Sequence, residues 1–140
     1  MKIFVDANIL VSVLNKEYPL FTYSSRIISL TVQEGFEVFT SPVCLAIAFY
    51  FAEKKVGSRK AKQKIKLLCE HLYVAEMSAD AVKNAIKNPA VLDFEDGLEY
   101  YAAVENKCRC IITEDTGDFH FSEIEVVNSQ DFFKRHLLKD

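Results

Sequence analysis

The chain's 140 residues carry 20 Asp and Glu against 17 Lys and Arg, for a net charge of −3, and half of them are hydrophobic. Such a composition excludes a disordered chain, and the length suits one domain, 1–140, with a proper core. No apolar run approaches the roughly 20 residues that span a bilayer, and Asp6 interrupts the N-terminus too early for a signal peptide, so a cytoplasmic location is expected.

The predicted elements alternate. Residues 2–5 read as a buried strand, followed by a helix over 7–15 with Ile9, Leu10, Val13 and Leu14 as its apolar stripe. A second helix is expected over 22–34, closed by Gly35. Residues 36–40 form the next strand. Ser41-Pro42 then opens a helix to about Lys55, because Ser is a favoured N-cap and Pro a favoured first residue. Gly57-Ser58 breaks it and starts a basic helix to about 70. A short strand at 72–74, helices at 78–87 and 93–106, strands at 109–113 and 124–127, and a closing helix at 129–138 complete the chain. Strands alternating with helices predict a mainly parallel sheet covered on both faces, with the apolar first strand at its centre.

Carboxylates collect at the ends of these elements: Asp6 after the first strand, Asp93 and Asp96 at a helix start, Asp115 and Asp118 after the strand at 109–113. Each has an ordinary explanation. Asp6 and Asp93 can cap helices, Asp96 can offset a helix dipole, and Asp115 and Asp118 suit a turn. Taken together they lie where open α/β sheets bind ligands, beyond the carboxyl ends of the strands. Acids gathered there repel one another unless a cation lies between them, and a hard divalent ion accepts such ligands. Other chemistries fit less well: there is no Gly-rich phosphate loop and no Gly-x-Ser-x-Gly elbow. Strand-end Asp phosphatases usually carry a second Asp two residues on, where this chain has Asn8. Cys44, Cys69, Cys108 and Cys110 lack zinc-ligand spacing and read as reduced, buried thiols.

Val5-Asp6-Ala7-Asn8-Ile9, Asp93-Phe94-Glu95-Asp96-Gly97-Leu98 and Ile112-Thr113-Glu114-Asp115-Thr116-Gly117-Asp118-Phe119 resemble, in order and spacing, the acidic motifs of PIN-domain ribonucleases. The resemblance covers essentially the whole chain and is nearest to the VapC-like toxins of toxin–antitoxin pairs. It implies a Rossmann-like three-layer α/β/α sandwich and Mg²⁺- or Mn²⁺-dependent cleavage of RNA. By that pattern Asp6, Asp96 and Asp115 are the metal ligands. Asp118 joins them in catalysis, with Asp93 as a further acid, Asn8 and Thr113 as supporting polar groups, and Ser41 at the rim. The chain departs from the pattern at Ile47, where such proteins commonly carry Glu. The alternative implied by that departure is a catalytically weak PIN-like module that binds RNA or protein.

The net charge argues against a nucleic-acid partner until the site is considered; removing four negative charges (Asp6, Asp96, Asp115, Asp118) from −3 leaves +1. Lys54, Lys55, Arg59, Lys60 and Lys62 then form a candidate clamp for RNA phosphates, although a solvated helix face explains the same run. A free ribonuclease implies a cognate antitoxin. Tyr18, Phe21 and Tyr23, with Phe49, Tyr50 and Phe51, mark the helices around 22–55 as the expected homodimer surface. Three consecutive helical aromatics cannot all face one core.

Overall fold

A computed structural model describes residues 1–138. Five parallel strands are ordered β3-β2-β1-β4-β5: β1 Lys2–Val5, β2 Glu37–Thr40, β3 Tyr73–Val74, β4 Cys110–Ile112 and β5 Glu125–Val127. β1 is central and pairs with both neighbours, Ile3 lying opposite Val38 and Cys110. Ile3, Phe4 and Val5 have no exposed surface. Successive strand residues point to opposite faces, so both faces of β1 are covered and the sheet is the middle of three layers.

Among the described residues six α-helices complete the fold: α1 Ala7–Leu14, α2 Leu20–Ile28, α3 Pro42–Cys69, α4 Ala79–Lys87, α5 Phe94–Glu105 and α6 Ser129–Phe132. The chain lays β2 and β3 to one side of β1, then crosses through α4 and α5 to lay β4 and β5 on the other. Strand order therefore reverses at β1, and the crevice beyond the carboxyl ends of β1 and β4 is the expected place for a site in such a sheet.

Two elements differ from the sequence reading by more than a residue at their ends. The helix expected over 22–34 begins at Leu20 and ends at Ile28, and a 3-10 turn, Ser29–Val32, takes over. Ser25 and Ser29 hydroxyls donate to the carbonyls of Phe21 and Ser25. Such back-bonding, followed by β-branched Thr31 and Val32, weakens helical continuation. The break expected at Gly57 is present: Gly57 takes the non-helical φ +83° and ψ 164°, so α3 is two helices joined across a kink; a side chain there would strain the backbone. The closing helix is one α-helical turn to Phe132, continued as π-helix over Phe133–Leu137.

Candidate active site

Asp6 follows the last residue of β1 and is 7% exposed. It caps α1, its Oδ1 accepting from the Ala7 amide at 2.6 Å, while Oδ2 accepts from the Thr113 hydroxyl at 2.7 Å. Thr113 is fully buried just past β4 and also accepts from the Asp115 amide and from Asn8 Nδ2, each at 3.1 Å. Asn8 Nδ2 reaches Asp115 Oδ2 at 3.2 Å, and its Oδ1 accepts from the Glu114 amide at 3.3 Å. One polar lattice thus ties the ends of β1 and β4 together, fixing two acids 109 positions apart in sequence. The N-cap reading of Asp6 holds alongside the clustering.

α5 brings the remaining acids. Asp93 is its N-cap, accepting from the Glu95 amide at 2.9 Å. Asp96 faces the crevice, and burial, then Asp93, Asp6, Asp118 and Glu95, raise its carboxyl to about 7. One turn on, Glu99 is 2% exposed. It accepts from the Cys44 thiol at 3.0 Å, and burial, then the neighbouring Asp6, push its carboxyl up to about 11. Ligand atoms of Asp6, Cys44 and Glu99 lie within 4.8 Å of one another. Gly97 allows this placement: a Cβ there would stand 2.6 Å from Val91 Cγ1 and 3.1 Å from Ala85 Cβ, so α5 seats closely only with glycine.

The result is a cleft of about 500 Å³ lined by nine carboxylates, among them Asp6, Asp93, Asp96, Glu99, Asp115 and Asp118. No Lys, Arg or His among the described residues lines it, and the ion pairs among those residues join Glu125 to Arg135 and His136 instead. These hard oxygen donors, among which Asp96 and Glu99 are raised by burial and by neighbouring acids, are suited to a hard divalent cation.

The family model for the PIN domain matches residues 2–117. The chain belongs to the PIN domain family. It is 27% identical to a protein named ribonuclease VapC1 from Aquifex aeolicus, over 96% of this chain and 94% of that one. Its fold is similar to that of VapBC2 from Rickettsia felis, crystallised with a promoter DNA fragment, at TM-score 0.70 and 16% identity over 91% of this chain and 98% of that one. It is similar also to VapC20 from Mycobacterium tuberculosis, a sarcin–ricin-loop-cleaving toxin, at TM-score 0.61 and 17% identity over 78% and 86% of the two chains.

Other positions fall differently in this PIN domain. Ser41, expected at the rim, does not line the cleft: it is fully buried and caps α3, its hydroxyl accepting from the Cys44 amide at 3.1 Å. Ile47 does line the cleft, so the position where Glu was expected faces the acids with an apolar side chain. Glu99 is not among the residues that the sequence motifs single out. The one available sequence signal was its i+3 spacing from Asp96, which puts both on one face of α5. Cys44 is buried as expected, yet among carboxylates rather than in purely apolar surroundings, and its thiol pKa is raised by burial, Glu99 and Asp6. All four cysteines are free. Lys54, Lys55, Arg59, Lys60 and Lys62 are exposed along α3 on either side of the Gly57 kink, and none lines the cleft.

Proposed function

We propose that this PIN domain is a metal-dependent endoribonuclease acting as the toxin of a toxin–antitoxin pair. The observation that carries the reading is the cleft of nine carboxylates with no basic side chain in its lining. Asp6, Asp96 and Asp115 would hold Mg²⁺ or Mn²⁺, and Glu99 stands close enough to Asp6 to add a further carboxyl oxygen from the α5 side. When bound, the ion supplies Lewis-acid charge at a phosphodiester and lowers the pKa of water. The protein's own groups set the stage. Thr113 and the Ala7 amide hold both oxygens of Asp6, and Asn8 holds Asp115 against Thr113. Asp118 and Asp93, exposed in the same cleft, accept hydrogen bonds from attacking water.

RNA phosphates would be drawn by Lys54, Lys55, Arg59, Lys60 and Lys62, which give salt-dependent affinity without reading sequence. The ribonuclease name of the Aquifex relative supports an RNA substrate, and the VapBC neighbours support a cognate antitoxin. A homodimer through the helices around 22–55 completes the proposal. Of the aromatics expected on that surface, Phe49 packs against the core instead. No helix among the described residues is long and apolar enough to cross a membrane.

Purified protein should cut single-stranded RNA with Mg²⁺ or Mn²⁺, stop in EDTA, and lose activity on Asp6→Asn or Asp96→Asn. Cleavage that persists in excess chelator or survives Asp6→Asn would overturn the mechanism. Ile47 favours a second reading, a PIN domain that binds RNA with little catalysis. Retention of RNA without cleavage in millimolar Mn²⁺ would select it.

A further inference from the structure

An acidic cleft repels the polyanion that the proposed function requires it to admit, so binding energy has to come from groups that do not depend on the cleft's charge. α3 supplies them at the cleft wall. Phe51 lines the same cavity as Asp6 and Asp96, yet its ring is 44% exposed. Tyr50, 51% exposed, meets it edge-on with centroids 5.4 Å apart. Lys54, one turn on, places Nζ 4.2 Å from the Tyr50 centroid and 5.9 Å from that of Phe51. Two solvent-facing rings under an ammonium, beside an acidic centre, have the composition of a single-strand nucleic-acid platform: an aromatic face for a base and a cation for a phosphate.

Resting on the ribonuclease reading, we propose that Phe51 stacks an unpaired base of the RNA beside the cleft while Lys54 contacts a backbone phosphate. A base in a duplex has both faces covered by its neighbours, so this arrangement selects single-stranded or looped RNA. It is indifferent to base identity, because every base offers a π face. The positive charge of Lys54 decides between occupants: a basic segment of a protein would suit the carboxylates but be repelled at the platform, whereas a nucleic acid suits both rings and ammonium.

The test uses full-length protein carrying Asp6→Asn, which removes cleavage, and a fluorescent random-sequence 20-nucleotide RNA read by anisotropy. Adding Phe51→Ala should raise the Kd for the single strand roughly tenfold or more, and Phe51→Trp should restore it. Neither should change the salt dependence. Lys54→Gln should lower the slope of log K against log[salt] by about 0.7, the share of one phosphate on a single strand. A duplex of the same length should bind more weakly and be insensitive to Phe51→Ala. Unchanged single-strand affinity in a Phe51→Ala protein that melts like its parent would overturn the proposal. So would unchanged RNA affinity with altered sedimentation, which assigns the rings to a protein contact. Failure of the enzymatic reading is separately visible: protein without Asp6→Asn that binds RNA in this way but does not cut it in Mn²⁺ keeps the platform and loses the nuclease.

Discussion

Replacing Glu99 with Gln should stabilise the metal-free protein by an amount that grows with pH. Glu99 is 2% exposed, and burial together with Asp6 pushes its carboxyl to about 11 from an ordinary 4.5. The folded state therefore keeps a proton that the unfolded chain releases. Stability from this group is complete below about pH 4.5 and falls as pH rises toward the folded value, by about 1.4 kcal/mol per unit. Between pH 5 and 7 the wild type should lose on the order of 2–3 kcal/mol from this source, a large share of the roughly 5–15 kcal/mol that holds a domain together. Glu99→Gln carries no titrating proton there, and its amide can still donate to Asp6. Asp96 titrates in both proteins, so its share largely cancels in the difference. Urea unfolding in EDTA at pH 5, 6 and 7 measures the gap between variant and wild type. A gap that stays constant across the three pH values would refute the claim that Glu99 keeps its proton in the folded state.

Three further outcomes follow from the same geometry. Mn²⁺ affinity should climb steeply from pH 6 to 7 and level off by pH 8, because the Asp96 carboxyl, raised to about 7, must lose its proton to become a ligand; calorimetry in buffers of different ionisation enthalpy would also register the released proton. Ile47→Glu should tighten Mn²⁺ binding while lowering the melting temperature of the metal-free form, since it adds a further charge to an already repulsive cleft; equal Mn²⁺ affinity in both proteins would count against Ile47 facing the metal position. Gly97→Ala should destabilise the fold by about 1–3 kcal/mol, the usual cost of overpacking, because its Cβ would meet Val91 at 2.6 Å; denaturant midpoints would show it.

The parts of this protein legible in its sequence are those governed by local rules. β1 and β4 read as buried strands because their residues are β-branched or aromatic and their length is too short for helices. Ser41-Pro42 marked the start of α3 because N-cap chemistry is local, and Gly57 marked the kink because only glycine takes φ +83° without strain. α2 ended early because the serine hydroxyls at 25 and 29 compete for its carbonyls, a balance that apolar periodicity does not register. The basic run was visible as charge, but its position relative to the cleft depended on the course of a long kinked helix. Only Lys54, through its contact with Phe51, is tied to the cleft wall.

Glu99 was the hardest residue to see, and the reason is physical. Glutamate in a helix is ordinary, and its row on α5 continues into Ala102 and Ala103, both fully buried, which locally reads as a core face interrupted by a charge. What makes that charge tolerable lies elsewhere in the chain: the Cys44 thiol at the first turn of α3, an Asp6 oxygen at the end of β1, and a glycine at 97 that lets α5 settle close to Ala85 and Val91. Ile47 and Glu99 are best understood together. An acid contributed from α3 at position 47 would enter the cleft from the α3 side, whereas Glu99 enters from α5, behind Asp6 and nearly sealed from solvent. Charge held so deeply costs folding free energy unless it is protonated or neutralised by a cation. The same carboxyl that weakens the metal-free protein as pH rises is therefore the one whose burden a bound divalent ion would relieve most.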